Sequence, residues 1–203
     1  MITHEASPLA AATDAVTALA NTGASAGVLR LYDDTTLITE HDLSATAFAA
    51  AGADGWADAN AIASDDAVAA GTIDIWKIYD GDSPRNLVMS GKAGQRRAIA
   101  AVTTGAGGKF EVAGDHSTEF AAGEEFLVQG STNNDGTWRV ASVSYNGGTS
   151  RTEITVAAWQ TVGATADGYL SLGQIQLVQA TVEIGTRISF GETPPFKYQA
   201  IRQ

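Results

Sequence analysis

The sequence predicts a mostly-β protein: an antiparallel β-sandwich base with one short N-terminal helix, plus an inserted small β-barrel-like module. Three observations carry that expectation. Helical spacing of apolar residues occurs in one substantial segment only, close to the N-terminus. From Gly27 onward apolar residues alternate with period two, as in half-buried strands. Between Gly94 and Leu172 the strands shorten, and glycine-rich turns recur roughly every ten residues, the spacing of a small barrel or sandwich.

The helix is expected over Ser7 to Asn21. Ser7 before Pro8 suits an N-cap with proline at the first helical position. Leu9, Ala12, Val16 and Leu19 follow helical spacing, and Asn21 to Gly23 supplies the stop. Val28 to Tyr32 then reads as a strand ending at the turn pair Asp33-Asp34, with Thr36 to Leu43 as a second strand and Trp56 to Ile62 as another. The clearest alternation is Gly71 to Tyr79. Ile73, Ile75, Lys77 and Tyr79 fall on one face and Trp76 and Ile78 on the other, so both faces are expected to pack. Asp80 to Pro84 is a turn, and Asn86 to Ser90 returns as a strand.

Inside the module, short strands are expected at 98–103, 109–112, 125–129, 138–145, 151–156 and 169–172. Asn134-Asp135-Gly136 and Asn146-Gly147-Gly148 are hairpin signals. Long alternating strands then resume over Gln174 to Phe190, marked by Val178, Ala180, Val182, Ile184, Ile188 and Phe190. The expected division is a discontinuous base, residues 1–94 and 173–203, and a module, residues 95–172. Gly94 and Gly173 should then lie close together, because surface loops tolerate insertions.

Composition narrows the function. The chain has 203 residues, with 12 Lys and Arg against 23 Asp and Glu, for a net charge of −11. A duplex-binding surface needs clustered cations, and the only basic doublet is Arg96-Arg97, so nucleic acid is disfavoured as a partner. Alanine supplies 37 residues, so the core rests on scattered Val, Ile, Leu, Phe and Trp. The absence of cysteine excludes disulfides and thiolate metal sites. No apolar run approaches the ~18 residues of a membrane span, and the N-terminus lacks the basic region of a secretory signal. A soluble chain made in a cytoplasm is expected, with no membrane partner.

Several pieces taken together resemble a small family of phage virion structural proteins of β-sandwich type. They are Val28-Leu29-Arg30-Leu31-Tyr32-Asp33, Ser44-Ala45-Thr46-Ala47-Phe48, the stretch Gly71 to Asp80, and Ile184-Gly185-Thr186-Arg187-Ile188-Ser189-Phe190. The resemblance spans about half the chain, and its motifs are structural rather than catalytic. The interruption, residues 95–172, is similar to a small β module of phage tail and fibre proteins. It is carried by Phe110 to Asp115, Phe120 to Gly123 and Val128 to Trp138. Neither resemblance brings a site with it.

Catalysis has little footing in the residues. His4, His41 and His116 are far apart in unlike contexts, and no G-x-S-x-G elbow occurs. Thr104 to Phe110 superficially resembles a phosphate loop, but it lacks the first glycine and has Phe110 where Ser or Thr must hold Mg²⁺. Asp65-Asp66 and Asp80-Gly81-Asp82 have the oxygen ligands Ca²⁺ prefers, but neither fits the calcium loop, and turn chemistry explains both. With 23 acids, some carboxylate pair will always suit glycoside cleavage, so that pattern carries no information. Trp56, Trp76, Trp138 and Trp159 are expected as core or interface anchors rather than sugar platforms. The expectation is no enzyme, with no catalytic residue, cofactor or metal.

Two functions remain. The first is a head-associated accessory or decoration protein of a tailed phage, present in many copies and contacting major capsid or tail proteins. Its negative charge suits an outer surface, away from packaged DNA. The second is a tail, baseplate or fibre-associated protein whose module binds a receptor or host-surface glycan. Either implies localisation in the virion. The candidate interface is the C-terminal segment. Pro194-Pro195 cannot join a central strand, yet Phe196, Tyr198 and Ile201 follow. The segment is expected either as an arm on a neighbouring subunit or folded back on its own base.

Overall fold

The computed structural model describes residues 8–53, 56–173, 175–177, 180–188, 190 and 197–198. The chain is mostly β, with a single short helix among the described residues. Two compact units divide it: residues 1–93 with 179–203, here the base, and residues 94–178, here the module. Among the described residues no helix is long and apolar enough to cross a membrane.

The helix of the base, α1, spans Pro8–Leu19. Its buried face differs from the expected one. Ala10, Thr13, Thr17 and the following Ala20 are buried, whereas Ala12 is exposed and Leu19 is 51% exposed. Polar latches explain the rotation. The Asp14 carboxylate accepts from Ala51 N at 2.7 Å, and Asn21 Oδ1 accepts from Ala47 N at 2.7 Å, tying the 47–51 segment to the helix. The inward Thr17 hydroxyl is satisfied within the helix by Thr13 O at 3.0 Å, so it can be buried without penalty.

Four strands of the base lie side by side: β1 (Val28–Asp33), β2 (Thr36–Asp42), β3 (Ile75–Tyr79) and β4 (Leu87–Gln95). Their order is β4-β3-β1-β2, antiparallel throughout. Alternation puts Leu29, Leu31, Trp76, Ile78 and Met89 into the core. On the opposite face the Arg30 guanidinium lies 4.6 Å from the Tyr79 ring centre, and the Lys77 ammonium 4.5 Å from that of Tyr32. Glu40 pairs with Arg30 across β1 and β2. Both faces therefore pack, one by apolar burial and the other by cation–π contacts.

The rest of the base pairs in short ladders. Gly71–Thr72 joins Thr181–Val182, Asp65–Asp66 joins Arg187–Ile188, and Ala57–Asp58 joins Lys197–Tyr198. Three expected strands are thus shorter than their alternation suggested. Trp56 to Ile62 keeps a ladder only at Ala57–Asp58, with isolated bridges at Ala59 and Ile62. Gly71 to Tyr79 breaks at Ile73, whose N–H donates to Ala180 O, and Asp74, whose N–H donates to Tyr32 O. The long strand over Gln174 to Phe190 is interrupted by a turn at Glu183 to Thr186, closed by Thr186 N donating to Glu183 O at 3.0 Å. Gly185 takes φ 81° there, a conformation glycine adopts at no steric cost, and Ile184 is 72% exposed instead of inward. Gly81 marks a close backbone crossing. It donates to Thr22 O at 2.8 Å, and a Cβ placed on it would meet Ser25 O at 1.7 Å.

The module is a closed barrel of six strands: β5 (Arg97–Thr103), β6 (Lys109–Ala113), β7 (Glu125–Gln129), β8 (Gly136–Asn146), β9 (Arg151–Val156) and β10 (Tyr169–Leu172). Around the barrel they run β6-β9-β8-β7-β10-β5. Strands β7, β8 and β9 follow one another, and β10 returns beside β7, which is a Greek key. Closure leaves these strands no free edge. Phe110, Phe126 and Trp138 fill the interior, with Phe110 edge-on to Phe126 at 5.7 Å and to Trp138 at 5.0 Å. Ile99, Val112, Val128, Val140, Ile154 and Leu170 complete it. The outer wall pairs Lys109 with Glu153 and Arg151 with Glu111.

The hairpin signalled by Asn134-Asp135-Gly136 forms: β7 and β8 pair antiparallel with Val128 opposite Gly136, and their connecting loop is pinned through the Asn134 side chain. That side chain is buried, donating to Thr165 O at 2.9 Å and accepting from Gly163 N at 2.7 Å. At the module's entry and exit, a Cβ on Gly94 would meet Leu172 O at 2.4 Å, so those two stretches of backbone touch.

Candidate functional site

The groups with chemical potential are mostly consumed by the fold. His4 lies outside the described residues. His41 is buried in the base core, its Nδ1 2.8 Å from Ala63 O. His116 is on the module, with Nδ1 2.8 Å from a Glu119 oxygen and Nε2 3.0 Å from Ala113 O. Glu119 also accepts from Arg97 at 2.7 Å. The two described histidines belong to different units, and each is engaged within its own.

The acidic turns are satisfied in the same way. The buried Asp80 carboxylate accepts from Asn86 N and Asn86 Nδ2, both at 2.8 Å, and these donors hold its pKa below the ordinary aspartate value. Asp66 pairs with Arg187 at 3.1 Å, and Asp65 accepts from Asp66 N. The Asp167 carboxylate takes the hydroxyls of Thr132 and Ser131, which also lower its pKa and pin two module loops together. Among the described residues no group of three or more His, Asp or Glu could hold a metal ion.

The tryptophans separate clearly. Trp76 and Trp138 are core residues, and Trp56 is half-buried. Trp159 is 74% exposed, the most exposed large hydrophobic side chain among the described residues. It stands on a turn that follows β9, and that turn is bound on several sides. Ala157 N donates to Arg139 O at 2.9 Å, Gln160 N to Ala157 O at 2.9 Å, and Gly107 N to Gln160 O at 2.9 Å. The Gln160 side chain bridges to β8, accepting from Arg139 N at 2.8 Å and donating to Thr137 O at 3.1 Å. Thr161–Val162 then pairs with Gly105–Ala106.

A rigid turn therefore presents an indole to solvent beside a strand carrying exposed Arg139. The other module cations have partners: Arg97, Lys109 and Arg151 pair with acids, and Arg96 stacks over Tyr169 at 4.4 Å. Arg139 has no acidic partner among the described residues. Tryptophan and arginine are the side chains most enriched where binding energy concentrates at interfaces. This arrangement can supply a large apolar contact and one uncommitted positive charge.

Of the C-terminal candidates, Pro194, Pro195, Phe196 and Ile201 lie outside the described residues. At Lys197–Tyr198 the backbone pairs with Ala57–Asp58 of its own base. Sequence reasoning had no means to separate Trp159 from the other tryptophans. Its only local signal is that Ala157-Ala158-Trp159 follows directly where the β9 alternation ends. Comparison with family models, curated proteins and solved structures returned no match.

Proposed function

We propose that this protein is a structural component of a tailed-bacteriophage virion, a head-associated accessory or decoration protein that works by protein–protein contact. The observation that carries the reading is Trp159, an indole 74% exposed on a turn held by backbone and side-chain bonds. An indole presented on a bound turn is the kind of side chain that anchors protein interfaces, and it suits a surface that is covered in an assembly. The resemblance of the base segments to phage virion proteins supplies the setting. The net charge of −11 suits an outer surface and repels packaged DNA. Major capsid or tail proteins are the partners, contacted in many copies, and no catalytic step is assigned.

A second reading has the same residue in its favour. On a module similar to those of tail and fibre proteins, an exposed indole is also a platform on which a sugar ring can stack. The protein would then be a tail, baseplate or fibre component that binds a receptor or host glycan.

Gold-labelled antibody against the protein, imaged on intact particles, separates the two. Label over the head supports the first reading and label on the tail the second. Absence from purified particles rejects both. The C-terminal candidates, Pro194, Pro195, Phe196, Tyr198 and Ile201, are proposed as a second contact. Truncation after Gly191 also removes the Lys197–Tyr198 ladder to Ala57–Asp58, so particle binding should fall further than the lowered melting temperature accounts for, and a truncated chain that still assembles overturns that contact.

A further inference from the structure

We propose that His41 makes the base acid-sensitive: protonation of its buried imidazole loosens the return segment that carries Arg187, Ile188 and Phe190. His41 stands on β2 opposite Leu29, with its side chain fully buried. Its Nδ1 lies 2.8 Å from the Ala63 carbonyl, an oxygen that can only accept, so Nδ1 carries a hydrogen. That leaves Nε2 as a bare lone pair, and Nε2 is buried with no hydrogen-bond partner among the described residues. The neutral ring fits this site. Its cation does not, because a second N–H would be buried with nothing to accept it.

The ring's aromatic neighbour is Phe190, centre to centre at 5.0 Å and nearly perpendicular. Ala63 O favours the cation at Nδ1, whereas a phenyl ring offers no lone pair to a second N–H. Relief therefore comes from opening the Phe190 side. Just before Phe190, the return segment is held by short contacts only. Arg187–Ile188 pairs with Asp65–Asp66, Gly185 N donates to Ala67 O at 2.7 Å, and Ala67 N donates to Thr186 O at 2.9 Å.

The charged groups around His41 pull in both directions. Burial is the largest influence and, with Arg187, opposes the imidazolium; the Ala63 hydrogen bond, Asp65 and Asp42 favour it, and the balance holds the pKa below its ordinary value of 6.5. A depressed histidine pKa contributes stability that is complete above the unfolded value. That stability is lost as pH falls from there through the folded value. The sensitive window thus begins near pH 6.5 and extends downward.

Amide hydrogen exchange at Gly185 and Ala67 in the full chain tests this between about pH 7.5 and pH 5, after correction for the intrinsic pH dependence of exchange. Protection at both amides should fall severalfold, while Val156 N in the module stays protected. His41→Gln, which keeps a donor for Ala63 O but does not titrate, should abolish the fall. If that variant does not fold, the parent still decides, since NMR titration of the His41 ring must share its midpoint with the loss of protection. Full protection at pH 5, the same fall in His41→Gln, or a His41 that titrates with the return segment still closed would each overturn the proposal.

Discussion

The module and the base are both antiparallel β units, but they hold themselves together differently. In the module six strands close on one another around Phe110, Phe126 and Trp138, so each is flanked on both sides by another strand. In the base four strands form an extended sheet, while the surrounding chain is tied on by two-residue ladders and single latches such as Asp14 to Ala51 N and Asp33 to Thr72 N. A closed barrel concentrates its stability in packed volume. The outlying parts of the base spread theirs over close backbone approaches and individual hydrogen bonds. The two units should therefore fail under different kinds of substitution.

The largest effect tests the module's volume. Phe110→Ala should cost about 3–5 kcal/mol in denaturant unfolding, through lost burial and the cavity left against Phe126 and Trp138. A cost below about 1 kcal/mol would mean the ladder rather than the rings holds the barrel.

The matching test of the base adds atoms instead of removing them. Gly81→Ala pushes a methyl into the Ser25 carbonyl and should cost about 2 kcal/mol, read as a lower melting temperature. A neutral result would show that the crossing of Thr22 to Ser25 with Gly81 can yield.

Asn134→Ala asks whether the module also depends on single bonds. It removes partners from Gly163 N and Thr165 O, and about 1–2 kcal/mol should be lost. A loss equal to that of Phe110→Ala would blur the contrast between the units.

Trp159→Ala should change stability least, within about 0.5 kcal/mol, because its side chain is already in solvent. Binding to particles should nevertheless fall sharply in a co-sedimentation assay. Unchanged binding would remove Trp159 from any interface.

Much of this was legible in the sequence, unevenly. The barrel strands were found at or near their observed bounds because each is short, alternating and bracketed by glycine. Arg151–Val156 and Tyr169–Leu172 need no outside partner to identify them as strands. The return segment misled for the opposite reason. Val178 to Phe190 alternates well, but a turn at Gly185 interrupts it, and its pieces pair with two separated parts of the base. The helix was placed correctly and its buried face was not, since Thr13 and Thr17 point inward only once loop 47–51 supplies partners for Asp14 and Asn21.

By itself, the sequence determined the strand content, the single helix and the barrel-like character of the interruption. These follow from local periodicity and turn residues, which act over a few positions. Tertiary structure alone decided which tryptophan faces solvent, which histidine is buried with a bare nitrogen, and which acids are spent on their own turns. Those outcomes depend on partners far away in the chain, as with Gln160 on β8 or Phe190 on His41, and local pattern carries no record of distant partners.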